Sequence, residues 1–117
     1  HNAAEVMGII GDIEGKTCII NDDMIDTAGT LCASVRELKK MGAGDIYVCA
    51  THAIFSGPAV ERLNDAPIVE CLVTDSIPVE VGGKIKTITV ADEFANAIAA
   101  VYGEESVSDL VGGDFAL

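Results

Sequence analysis

Apolar and polar positions along the chain fall into short blocks of two different periods. Lys16-Thr17-Cys18-Ile19-Ile20-Asn21 is a nearly unbroken apolar run that stops abruptly at two aspartates, and it predicts a buried strand. From Leu31 the period changes. Leu31, Cys32, Val35, Leu38 and Met41 follow helical spacing, with Arg36, Glu37, Lys39 and Lys40 opposite them. Lys39 and Lys40 in the last turn and Gly42 just beyond it are ordinary helix C-terminal signals. Asp45 to Thr51 predicts a second strand, Ile68 to Thr74 a third and Ile85 to Val90 a fourth. Pro58 opens a short helix that carries Val60 and Leu63 inward. Phe94, Ala95, Ile98 and Tyr102 mark a closing helix that ends at Gly103, and His1-Asn2 reads as the continuation of a helix already under way.

Strands alternating with helices are the pattern of an α/β fold with a mostly parallel sheet flanked by helices. The strand runs are largely continuous rather than alternating, which predicts cover on both faces. Neither an internal repeat nor a low-complexity linker divides the sequence, so residues 1–117 are expected to form a single domain. The tail from Glu104 carries four acids and no base and is expected at the surface.

Composition narrows the function classes. Half the residues are hydrophobic, ample for a core, but with three Phe, two Tyr and no Trp that core must be aliphatic. The formal charge is −12, from 19 acidic against 7 basic residues. Such a balance offers no basic patch for nucleic acid or an anionic membrane, and no run reaches the ~18 apolar residues of a membrane span. A phosphate ligand would have to be met by backbone amides or a metal ion. The four cysteines are widely spaced without a C-x-x-C pair, which disfavours zinc; they read as reduced core thiols of a cytoplasmic protein. The start has no signal-peptide pattern and no Met, as expected of a piece of a longer chain.

The segment Asn21-Asp22-Asp23-Met24-Ile25-Asp26-Thr27-Ala28-Gly29-Thr30 lies between the first strand and its helix. Ligands of open α/β sheets bind beyond the carboxyl ends of strands. The small residues Thr27 to Thr30 let backbone N–H groups close around an anion at a helix N-terminus, and two hydroxyls add donors. Asp22 and Asp23, upstream, suit the vicinal hydroxyls of a sugar carrying that phosphate, or a shared Mg²⁺ ion. The competing reading is a solvated acidic turn with Asp26 or Thr27 as N-cap. The strand, paired acids, small-residue loop and helix together favour a phosphosugar site.

DDMIDTAGT resembles the phosphoribosyl-binding loop of type I phosphoribosyltransferase folds. The flanks narrow the resemblance: Glu5-Val6-Met7 and Gly11-Asp12 before it, then Ala50-Thr51-His52, Phe55-Ser56-Gly57-Pro58-Ala59, Val73-Thr74-Asp75-Ser76-Ile77-Pro78 and Glu105-Ser106-Val107-Ser108. In that order they are similar to the ribose-phosphate pyrophosphokinase family, over nearly the whole chain.

The resemblance implies diphosphoryl transfer from ATP to the 1-hydroxyl of ribose 5-phosphate with Mg²⁺, giving phosphoribosyl pyrophosphate for nucleotide biosynthesis. By position in the motif, Asp22 and Asp23 would meet the ribose hydroxyls or the metal, and Asp26, Thr27, Ala28, Gly29 and Thr30 would hold the 5-phosphate. The family's catalytic Lys/Arg loop and its amino-terminal half match nothing in this sequence, so no catalytic residue is assigned here. The chain is expected to be the carboxyl-terminal domain, inactive alone and part of a homo-oligomer completed by an amino-terminal half. A phosphoribosyltransferase consuming phosphoribosyl pyrophosphate, or a non-catalytic regulatory relative, are the alternatives. Ser106 and Ser108 match a tail that contributes to an allosteric site, although Val111 stands where the family usually has Phe. His52 reads more readily as a structural histidine than as an acid or base. Arg36, Lys39, Lys40 and Arg62 are expected on helices leading away from the loop, and Lys16, Lys84 and Lys86 at the opposite ends of strands.

Overall fold

In a computed structural model, residue 9 and residues 11–112 are described. The helix expected at His1-Asn2 and the segment Glu5-Val6-Met7 lie outside them. The chain runs β1 (Cys18–Ile25), α1 (Gly29–Lys40), β2 (Ile46–Ala53), α2 (Ala59–Asp65), β3 (Glu70–Thr74), β4 (Ile85–Ile88) and α3 (Ala91–Tyr102), then a 3-10 turn over Ser108–Val111. The four strands form one sheet in the order β1-β2-β3-β4, every pair parallel. The fold is α/β, as the alternation of periods predicts. None of the described helices is long and apolar enough to cross a membrane.

Each parallel connection needs a crossover, and with the strands in sequential order right-handed crossovers put α1 and α2 on one face. That face is the core. Ile46, Val48, Ala50, Cys71 and Val73 of the strands pack with Cys32 and Val35 of α1 and Ala59 and Leu63 of α2. The opposite face differs from the expectation of cover on both sides: Tyr47, Cys49 and Leu72 are half-buried, and Ile19 of β1 is exposed. Continuous apolar runs therefore overstate the cover given to the second face by the described residues. The closing helix ends at Gly103 as its pattern predicts, but it is little buried. Phe94, Ile98 and Tyr102 are exposed, Ala100 is its one buried residue, and α3 packs chiefly on the 3-10 turn.

β1 is longer than its apolar run. Its ladder with β2 continues through Asp22 opposite Ala50 and Met24 opposite His52, so Asn21, Asp22 and Asp23 lie in the strand rather than in a loop. Pairing with a central neighbour overrides the poor strand propensity of aspartate. The turn to the helix is thereby shortened to Asp26-Thr27-Ala28.

Candidate functional site

β1, α1 and the β2–α2 connection meet at the carboxyl edge of the sheet. There, Asp22, Met24 and the continuous stretch from Ile25 to Leu31 line a hollow of about 180 Å³. Of the residues expected at the site, it gathers Asp22, Asp26, Thr27, Ala28, Gly29 and Thr30. Asp23 is not among the lining residues: successive side chains of a strand point to opposite faces, so Asp22 and Met24 share one side and Asp23 takes the other. The carboxylate of Asp22 also accepts the N–H of Asp23 at 2.8 Å.

The backbone of the turn is held from one side. The N–H groups of Ile54 and Phe55 both donate to the carbonyl of Ile25, at 3.0 and 3.1 Å, and the N–H of Ser56 donates to that of Asp26 at 3.0 Å. The Arg62 guanidinium completes the row, Nη1 donating to the carbonyl of Thr27 at 3.0 Å. The described peptide bonds include no cis bond, and a trans peptide directs its N–H opposite its carbonyl. Three consecutive carbonyls turned toward the β2–α2 connection thus turn the following N–H groups away from it. Among the described residues, the N–H groups of Thr27 and Ala28 donate to no other residue. Those of Gly29, Thr30 and Leu31 open α1, where a helix offers them no acceptor.

The turn holds this shape against backbone strain. Ala28 has φ 64 and Phe55 φ 51, both left-handed, one in each of the two connections that meet at the site. A non-glycine residue in that region is costly and persists where neighbours over-determine it. Ala28 is the N-cap of α1 and no side chain caps the helix, which overturns the reading of Asp26 or Thr27 as N-cap. The orphan donors of α1 are left for a ligand rather than consumed by the protein's own hydroxyl or carboxylate.

Arg62 is the residue that sequence reasoning missed. It was expected to lead away from the loop, but α2 has only seven residues, and Arg62, in its last turn, still reaches back to the carbonyl of Thr27. Both α1 and α2 start from the same edge of a parallel sheet, and α2 is short enough for a long side chain on it to span back to the start of α1. A base within four residues of a helix start that follows a strand was the available signal. Its partner in shape is Gly29: a Cβ there would come 3.1 Å from Nη1 of Arg62.

The remaining candidates stand apart from the turn. His52 belongs to β2 itself, and its Nδ1 is 2.8 Å from Ser76 Oγ, which also donates to the carbonyl of Thr51 at 3.1 Å. That pairing accounts for His52 structurally, by joining the ends of β2 and β3. Ser106 and Ser108 are exposed, with their hydroxyls 2.7 Å apart, next to α3. All four cysteines are free; burial raises the thiol pKa of Cys32 and pushes that of Cys71 up to about 12. Among the described residues no group of three or more His, Cys, Asp or Glu is arranged to hold a metal.

Comparison with known proteins decides the family. Residues 2–112 match the model of the phosphoribosyl synthetase-associated domain. The chain belongs to that family. It is 46% identical over 114 residues to a ribose-phosphate pyrophosphokinase of Synechococcus elongatus, covering 94% of this chain and 34% of the relative. A ribose-phosphate pyrophosphokinase of Caldanaerobacter subterraneus is 51% identical over 112 residues, covering 93% of this chain and 35% of the relative. The crystal structure of phosphoribosylpyrophosphate synthetase from Mycobacterium smegmatis superimposes with a TM-score of 0.79 at 39% identity, over 81% of this chain and 33% of that one. The phosphoribosyl synthetase-associated chain thus spans about a third of the curated relatives it matches.

Proposed function

We propose that this chain supplies the ribose 5-phosphate site of a ribose-phosphate pyrophosphokinase, in the cytoplasm, within a longer oligomeric protein. The carrying observation is the row of carbonyls from Ile25 to Thr27 tied back to the β2–α2 connection, with the Thr27 and Ala28 N–H groups left as donors beside the first turn of α1. Asp26 to Thr30 then cradle the 5-phosphate, backbone donors doing the work that a chain of net charge −12 cannot assign to many bases. Asp22 lines the same hollow and accepts hydrogen bonds from the ribose hydroxyls. The names of the relatives support the kind of enzyme, and the order of the quoted motifs is what supports placing the chain in its carboxyl-terminal half.

In this reading the nucleophile is the 1-hydroxyl of the sugar and the group transferred is the diphosphoryl of ATP. The contribution of these residues is placement: the phosphate end is fixed in the turn, the ring is held at the strand end, and the reacting hydroxyl faces outward. Mg²⁺ fits a donor set of one strand carboxylate, Asp22, completed by water and ligand oxygens, because that ion commonly keeps several such ligands. When bound it would neutralise phosphate charge. The cations that stabilise the transferring group come from elsewhere in the longer protein.

The test is a titration of the intact protein with ribose 5-phosphate, followed by amide resonances, and an assay of AMP release from ATP. Saturable shifts at Thr27 to Thr30 together with ribose 5-phosphate-dependent AMP release are expected. Shifts clustered elsewhere on the chain would refute the site, and pyrophosphate release from phosphoribosyl pyrophosphate that requires a nitrogen-base acceptor for the phosphoribosyl group, with no ribose 5-phosphate-dependent AMP release from ATP, would favour a phosphoribosyltransferase.

A further inference from the structure

Arg62 is 35 positions from Thr27 in the chain, yet its guanidinium bonds the carbonyl at the centre of the anion turn. Its charge is spent on a main-chain oxygen rather than on a carboxylate, although the chain carries 19 acidic residues. Other described bases bond main chain or acids away from this turn: Arg36 the carbonyl of Cys32, Lys39 that of Gly44, Lys40 Glu37, and Lys84 the carbonyl of Ala66. The two preceding carbonyls of the turn are held by backbone N–H groups, but the third would have no partner from the β2–α2 connection without this side chain.

We infer that Arg62 is a positioning residue: by holding the Thr27 carbonyl it fixes the Thr27–Ala28 peptide with its N–H turned to the ligand side, and so sets affinity for the phosphate end of the ligand. The inference rests on the ribose-phosphate reading of the site. The clamp resists a specific rotation. Ala28 sits in the left-handed region at φ 64, and flipping the peptide before it would relieve that strain while presenting a carbonyl to the anion. A guanidinium opposes the flip twice, through a charge-assisted hydrogen bond and through its positive potential behind the peptide dipole. Gly29 belongs to the same device, because a side chain there would press on Nη1 at 3.1 Å.

Two measurements on the intact protein test this. In the first, KM for ribose 5-phosphate and for ATP are compared in the wild type, Arg62→Met, Arg62→Lys, Gly29→Ala and the Gly29→Ala/Arg62→Met double variant. Loss of one charge-assisted bond predicts about a tenfold rise in KM for ribose 5-phosphate in Arg62→Met, with KM for ATP unmoved. Arg62→Lys recovers part of it, and the double variant is no worse than Arg62→Met, because Gly29→Ala acts through the guanidinium. An equal rise in both KM values, or additive losses in the double variant, would make Arg62 a merely structural residue and overturn the clamp. In the second, inorganic phosphate is titrated against the amide resonances of Thr27 and Ala28. A response weakened in Arg62→Met or Arg62→Lys supports the clamp even if ribose 5-phosphate is not the substrate. A response equal to the wild type overturns the clamp while leaving the proposed function standing, and no wild-type response overturns both.

Discussion

The carboxylate of Asp75 accepts the backbone N–H of Val90 at 2.9 Å and so fastens the end of β3 to the start of α3. This bond, with help from the Thr89 hydroxyl, holds the Asp75 carboxyl below the ordinary carboxylate range. A pKa lower in the folded than in the unfolded chain gives stabilisation that is complete above the unfolded value, ~3.9, and is lost as pH falls through the folded one. The attachment of α3 is therefore expected to loosen below about pH 4 while the sheet persists. Hydrogen exchange at Val90 reads it as a protection factor, the observed rate set against the intrinsic rate at each pH: protection is expected to fall on acidification in the wild type and to be low at every pH in Asp75→Ala. An acid-insensitive Val90 amide would contradict the assignment.

Leu63 anchors α2 to the core with no exposed surface. Replacement by Ala removes three buried carbon atoms and leaves a cavity, at a cost of about 2–5 kcal/mol. Chemical denaturation should show a lower midpoint. A loss under about 1 kcal/mol would mean that α2 settles into the gap.

Ala28 and its conformation give a prediction of opposite sign. Glycine adopts φ 64 freely, so Ala28→Gly should leave stability unchanged or raise it, by up to about 1 kcal/mol. A β-branched residue there should destabilise, since Ala28 is both left-handed and buried. Thermal midpoints for Ala28→Gly and Ala28→Val decide it, and a more stable valine variant would mean that the turn does not hold this conformation.

The thiols should divide by burial. Cys71 and Cys32 are buried, with pKa values raised chiefly by desolvation, whereas Cys18 and Cys49 are partly exposed. Since the thiolate is the reactive form, Cys18 and Cys49 should react first with a thiol reagent near neutral pH, and the other two only on unfolding. Mass spectrometry of the labelled peptides shows the order; early labelling of Cys71 would be incompatible with this core.

The two aspartates of β1 should be unequal in ligand binding. Asp22 lines the hollow and Asp23 does not, so Asp22→Asn should weaken ribose 5-phosphate binding by about tenfold and Asp23→Asn by clearly less. Calorimetry on both variants would show it, and equal losses would mean that the strand end rotates to bring both carboxylates to the sugar.

Much of this was readable before folding was considered. The helical stripe from Leu31 to Met41 and the apolar runs at Asp45 to Thr51 and Ile68 to Thr74 locate α1, β2 and β3 closely, because local periodicity and burial agree there. The sheet order follows from short crossovers. The end of β1 was not legible: aspartates ended the apolar run, and the ladder that extends it is supplied by β2. The same holds for the N-cap, where Asp26 and Thr27 have the right chemistry but the strained Ala28 has the position. Arg62 was hidden for a different reason, since its role depends on two connections meeting at one sheet edge, a tertiary fact that no local window contains. Of the Asp26-Thr27-Ala28 turn, residue types were readable, but the direction of its peptide groups was not.

Among the described residues β1 pairs on one side alone, with β2, and so presents a row of backbone groups to any strand that approaches. Such a border invites pairing between copies of a protein, and charged side chains along it are a common deterrent. Asp22 and Asp23 stand in that border, one on each face, so two copies meeting edge to edge would set four carboxylates against each other. The two aspartates, of which Asp22 alone lines the hollow, are thus sentries against self-stacking. Asparagine at both positions would remove the guard as well as the binding group, and loss of function in that double variant should be accompanied by a greater tendency to precipitate.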